Sequence, residues 1–175
     1  MKRNYDNLQV KGSLIMRLIS LTIMLAFVTP VMMNAQAGKS NFSGTWALNA
    51  EKSTMDQAGG QRMGGGNFVA KQEGNLLSVD RTRTNRDGET TTTTSKYTLD
   101  GKESVNTTGR GESKSTAKWS ADGKTLTIIT KSSFNGNERT STEAWVLTDA
   151  KTLTISRTRT TQDGEMTTKM VYDKK

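Results

Sequence analysis

The sequence predicts an all-β protein, an antiparallel up-and-down meander of 8–10 strands that closes into a barrel. Three observations carry this. Beyond residue 37 the chain is rich in Thr and in Val and Ile, which favour extended backbone. Runs of roughly 7–12 residues of this kind alternate with Gly, Asp and Asn turn signals. Helical periodicity is absent after the glycine-rich stretch Ala58 to Gly66 (AGGQRMGGG), which reads as a linker.

Taken in order, strands are expected at 41–49, 67–73, 75–85, 90–99, 103–108, 112–120, 124–134, 137–147, 151–162 and 165–173, with Leu48 to Met55 as the one segment able to form a turn or two of helix. The hairpins repeat. Ser78 to Thr84 (SVDRTRT) leads to Asp87-Gly88, and Thr154 to Thr160 (TISRTRT) leads to Asp163-Gly164, 76 residues later. A weaker copy runs from Thr125 to Ile128 and on to Asn135-Gly136. Asp-Gly and Asn-Gly supply the positive φ angles of tight hairpin turns, and these turns lack the clustered carboxylates of a calcium loop.

The first 37 residues are of a different kind. Leu18 to Met33 is apolar, is preceded by Lys11 and Arg17, and is followed by Ala35-Gln36-Ala37, the order of charged region, apolar core and cleavage site in a secretory signal peptide. Residues 1–37 are therefore expected to be a signal peptide, with Met1 or Met16 as the start, and 38–175 a barrel domain with no membrane span after cleavage. The protein is expected to be secreted or periplasmic. The transmembrane class of barrel is set aside because the faces opposite Leu77, Val79, Leu153 and Ile155 carry Ser, Asp and Thr, not an apolar band.

Composition narrows the function. The sequence has no Cys and no His, which removes disulfides, thiol nucleophiles, His-based triads and ordinary zinc or copper sites. No metal and no cofactor are expected. Ser115 to Lys118 fits the S-x-x-K pattern but lies on a predicted strand without companion motifs. The formal charge of +8 falls to +5 without residues 1–37, and basic residues alternate with acidic ones without interleaved aromatics, so nucleic acid is not an expected partner. A non-enzymatic protein is expected.

Register can be read from the requirement that hydrophobic faces match. A two-residue turn at Asn135-Gly136 sets Leu126 opposite Trp145 and Ile128 opposite Glu143. Pairing Leu147 with Leu153 sets Trp145 opposite Ile155 and Glu143 opposite Arg157. Apolar residues come first in ascending strands (Leu77, Val79, Leu126, Ile128, Leu153, Ile155) and last in descending ones (Tyr97, Leu99, Trp119, Trp145, Leu147, Met170, Tyr172). In a meander these are one end. With Phe42, Trp46 and Leu48 they form a dry, closed end, while Arg81, Arg83, Arg157 and Arg159, with Thr130, Ser132 and Thr168, line the inner face toward the other. Inward guanidinium groups attract carboxylate, sulfate or phosphate. These four arginines are the candidate ligand-binding residues, with Glu143 as the competing internal partner for Arg157, which would hold its pKa down and unsuit it as a general acid.

Asn41 to Trp46 (NFSGTW), Lys71 to Gly74 (KQEG), Lys118-Trp119 and Val171-Tyr172 resemble, in order, elements of the calycin superfamily, in particular the fatty-acid- and retinoid-binding proteins; Gly44-Thr45-Trp46 is also the G-x-W of lipocalins. The resemblance implies a lipocalin-like ten-strand barrel in which Trp46 closes the bottom and a lipid carboxylate is held by an Arg-x-Tyr on the last strand and another Arg two strands earlier. Only Tyr172 carries over, because Met170 stands at the position of that Arg and Trp145 near that of the other. Tyr172 therefore joins the arginines as a candidate ligand-binding residue. The function expected is an exported small-molecule-binding barrel for an amphipathic or anionic ligand; the alternative is a non-enzymatic structural or interaction module of the cell envelope.

Overall fold

The computed structural model describes residues 38–54, 66–84, 87–108, 111–134, 136–161 and 164–175; residues 1–37, where the sequence suggests a signal peptide, and most of the glycine-rich stretch lie outside them. Ten strands follow one another: β1 (Gly44–Thr54), β2 (Phe68–Glu73), β3 (Leu76–Thr84), β4 (Thr90–Thr98), β5 (Glu103–Thr108), β6 (Gly111–Trp119), β7 (Thr125–Phe134), β8 (Asn137–Asp149), β9 (Thr152–Thr161) and β10 (Gly164–Lys174). They form a single antiparallel sheet in the order β4-β3-β2-β1-β10-β9-β8-β7-β6-β5, a meander whose first and last strands pair. Among the described residues no helix is long and apolar enough to cross a membrane.

The free edges, β4 and β5, are bridged by side chains. The Asn106 carboxamide accepts from the Lys96 N–H (2.7 Å) and donates to the Lys96 carbonyl (3.0 Å), standing in for a strand peptide. Beside it the Thr98 N–H donates to Ser104 Oγ (2.9 Å). The barrel is thereby nearly closed, and the polar edges that an open sheet would expose are partly satisfied.

The alternation read from the sequence places the core. Phe42, Trp46, Leu77, Val79, Leu126, Ile128, Trp145, Leu153, Ile155 and Tyr172 are buried at one end, with Leu48, Trp119 and Leu147 packed against them. Burying a side chain of this size contributes about 1.5–3 kcal/mol each, so this end supplies most of the hydrophobic stabilisation. Aromatic rings interlock there: Phe42 stacks on Trp119 at 5.6 Å and meets Trp145 edge-on, while Phe68 meets Tyr172 edge-on at 4.9 Å. The Trp46 indole donates to the Phe42 carbonyl (2.9 Å), which satisfies its buried N–H at the bottom of the barrel.

The start of the described chain seals the same end. Ser40 N donates to the Gly123 carbonyl (3.0 Å), and Gly123 holds a φ of +69°. A Cβ there would lie 3.2 Å from Gly38 and Lys39, so the β6–β7 turn needs glycine both for its conformation and for this approach.

One expectation fails. Residues 48–54 are not helical but continue β1 through an irregularity, with Asn49 pairing Val171 and Thr54 pairing Lys169. Side chains replace the ladder across it: Ser53 Oγ donates to the Asn49 carbonyl (2.6 Å) and accepts from the Val171 N–H (2.9 Å). Pairing with β10 overrides the weak local helix preference of this stretch. Met55 lies outside the described residues.

Candidate functional site

Alternation along three strands, β3, β8 and β9, brings the charged residues inside. β8 and β9 pair with Leu147 opposite Leu153, Trp145 opposite Ile155 and Glu143 opposite Arg157, and β7 sets Ile128 opposite Glu143, the register read from the sequence. Two residues beyond the Trp145–Ile155 row, the inner face turns from apolar to ionic.

Glu143 is the centre of this cluster, its side chain 14% exposed. Its Oε1 accepts from Arg157 Nε (2.8 Å) and from Arg157 Nη2. Its Oε2 accepts from the Trp145 indole N–H (2.9 Å) and faces Arg81 Nη2 of β3 at 3.7 Å. Burial by itself pushes the Glu143 pKa up; the Arg157 and Arg81 charges and the hydrogen bonds from Trp145 and Arg157 outweigh it and hold the carboxyl down at about 2. Glu143 is thus a permanent anion and not an acid–base group near neutrality.

Arg81 is held differently. Its guanidinium lies over the rings of Phe68 (5.4 Å) and Trp145 (6.0 Å), an arrangement that favours a cation. Burial pulls its pKa down, but the Glu143 charge and the Tyr97 phenol more than compensate. Its Nε is buried and has no hydrogen-bond partner. The cluster therefore holds two guanidinium groups against one carboxylate, with one donor unsatisfied.

The other candidate residues are spread around this core. Arg159, two residues beyond Arg157, is half-buried opposite Ser141 and Met166; burial, and then the charges of Arg157, Arg139 and Arg83 against that of Glu143, pull its pKa down. Arg83 is exposed, toward the β3–β4 turn. Tyr172 is buried on the apolar side and its hydroxyl donates to Met170 Sδ (3.5 Å); burial pushes its pKa up, against the pull of Arg81 and Arg157. The fold thus gathers Arg81, Arg157 and Glu143 into contact, sets Arg159 beside them, leaves Arg83 at the rim, and packs Tyr172 on Phe68 below.

Three participants are not legible as such in the sequence. The Trp145 indole donates to the carboxylate two residues before it, Phe68 supplies the ring under Arg81, and Tyr97 flanks the same guanidinium. Phe68 alternates with Ala70 in β2, a parity that marks it as inward. The S-x-x-K match dissolves in the strand: Ser115 is inward and bonded to Thr130 (2.9 Å), whereas Lys118, an odd number of residues away, is on the outer face and exposed. Among the described residues no group of three or more His, Cys, Asp or Glu could hold a metal ion.

With this geometry in hand, comparison with solved structures is decisive for the architecture. The chain is similar to zebrafish ileal bile acid-binding protein, crystallised in complex with cholic acid, with a TM-score of 0.54 over 78% of this chain and 100% of that one, at 19% sequence identity. The two chains share their fold. The barrel expected from Gly44-Thr45-Trp46 and its companions is thus the architecture found. No family model matches the sequence, and no curated protein does either.

Proposed function

We propose that this protein is an exported, non-enzymatic barrel that binds a small anionic molecule on the turn side of the Glu143 cluster. The observation that carries the reading is the imbalance inside the barrel: Arg81 and Arg157 face one carboxylate, and Arg81 Nε is buried without an acceptor. An unsatisfied donor of a charged group costs free energy that an incoming oxyanion would recover. The similar structure in complex with cholic acid, itself an amphipathic anion, supports a barrel of this architecture as a container for such molecules. The apolar run Leu18 to Met33 with Ala35-Gln36-Ala37 supports export to the periplasm or beyond.

The test is native mass spectrometry of the protein purified from its own source, beside the Arg81→Met variant. An anionic molecule should accompany the parent and be lost from the variant, and adding it back should raise the melting temperature of the parent alone. A parent that carries no small molecule, and whose melt is unmoved by any carboxylate, phosphate or sulfate offered, would overturn the reading.

A further inference from the structure

We infer that the molecule held by this barrel is a hydrophilic, polyhydroxylated anion of the sugar-acid or sugar-phosphate class and not a lipid. The inference rests on the small-anion reading above and narrows it. Its basis is the inner face on the turn side of the ionic row. Following the register from the Thr168, Arg157, Glu143 and Ile128 row toward the turns, the next inward row is Met166, Arg159, Ser141, Thr130 and Ser115. The row after that contributes Arg139, Ser132 and Ser113. On the far wall β3 and β4 present Thr93 opposite Arg81 and Thr91 opposite Arg83. Apart from Met166, and from Asn106 opposite Ser113, whose carboxamide is bonded to Lys96, every side chain in these rows ends in a hydroxyl or a guanidinium.

Two further observations give this lining its meaning. Ser141, Thr130, Ser132, Arg159 and Met166 share the inward parity of the fully buried Trp145 and Ile155, yet all are part-exposed, so water reaches the inner face on this side. The opposite half of the interior, which could solvate an alkyl chain, is occupied by the chain's own rings, Phe42, Trp46, Trp145 and Tyr172, packed against one another. A lipid tail gains about 0.8 kcal/mol for each methylene that enters apolar surroundings. On the turn side it would instead strip water from hydroxyls and offer nothing in return. A polyol pairs with those hydroxyls group for group, and its carboxylate or phosphate meets the guanidinium excess. The walls select by hydrogen bonds, which reject an analogue that cannot make them.

Calorimetric titration of the protein at low salt with glucuronate, glucose 6-phosphate, glucose, acetate, inorganic phosphate, oleate and cholate tests the assignment. Glucuronate or glucose 6-phosphate should bind at least tenfold more tightly than acetate, inorganic phosphate or glucose, and neither oleate nor cholate should displace it; which of the two wins tells carboxylate from phosphate. In the paired variant Ser141→Ala/Thr93→Val the sugar anions should lose at least fivefold while acetate and phosphate are unchanged. If oleate or cholate binds most tightly, the polyol assignment falls and the small-anion reading stands. If acetate or inorganic phosphate binds as well as the sugar anions, or the variant binds them as the parent does, the hydroxyl rows have no part and the assignment falls. If no anion binds, the small-anion reading itself is lost.

Discussion

The two copies of the Arg-Thr-Arg-Thr segment, residues 81–84 in β3 and 157–160 in β9, have the same side chains and different partners. In β9 the first arginine is paired across the ladder with Glu143, and its Nε and Nη2 both bond the carboxylate. In β3 the first arginine has Phe68 and Thr93 as cross-strand neighbours, neither of them an anion, and reaches Glu143 only across the interior at 3.7 Å. The second arginines also diverge, Arg159 half-buried and Arg83 exposed. A repeated strand thus keeps its inward parity but takes its chemistry from whatever faces it. One copy is a structural ion pair, and the other is a cation with a donor to spare.

Breaking the β9 copy should have the largest effect. Arg157→Met removes the principal partner of a mostly buried carboxylate and is expected to cost about 3–5 kcal/mol in chemical denaturation. The double variant Arg157→Met/Glu143→Gln, which removes the stranded charge, should recover most of that. An unrecovered loss would show that Arg157 contributes through its packing and not through the pair.

Acid titration examines the same pair without mutation. Because the Glu143 carboxyl is held at about 2 against an ordinary 4.5, its contribution to stability is fully present above pH 4.5 and is lost as pH falls toward 2, where the folded form also takes up the proton. The shift corresponds to at most about 3 kcal/mol. Stability measured from pH 5 to pH 2 should fall more steeply in the parent than in Glu143→Gln, and equal slopes would break the link between this carboxylate and acid sensitivity.

The β3 copy should respond in the opposite way. Arg81→Met keeps the Arg157 pair and places an apolar chain beside Phe68 and Trp145, so the stability change should stay under about 2 kcal/mol while anion binding is lost. A loss as large as that of Arg157→Met would erase the distinction between the copies. At the rim, Arg83→Ala should change stability by less than about 0.5 kcal/mol, as exposed substitutions usually do, and weaken anion binding mainly at low salt, where screening is least.

Much of this architecture is legible in the amino-acid sequence. The G-x-W segment and the order of apolar residues within ascending and descending strands locate the closed end; the Asn-Gly signal at 135–136 is enough to register β7 on β8, and matching Leu147 with Leu153 to register β8 on β9. That follows from the period of two: once one face must be dry, a slip of one residue would turn every side chain of a strand to the wrong side. The same rule identifies Arg157 opposite Glu143. It does not distinguish Arg81 from Arg157, because parity says which face a residue occupies and nothing about what lies across the interior.

What the sequence by itself determined about this protein is therefore local and periodic: ten strands, their turns, the register of the central hairpins and the set of side chains that point inward. The tertiary structure alone decided the contacts between strands far apart in the ladder. Closing the barrel brings β3 over β8, so that Arg81, Phe68 and Trp145 meet around Glu143, and it lets the Asn106 carboxamide bridge the edges of β4 and β5. It also overrode a local preference, keeping residues 48–54 extended because β10 offers them backbone and side-chain partners. The physical reason is the same in each case. Pairing within a hairpin is dictated by neighbours in sequence, whereas contacts across the barrel and the β1–β10 ladder that joins the first strand to the last depend on curvature and strand tilt, which no pattern of two or three residues encodes.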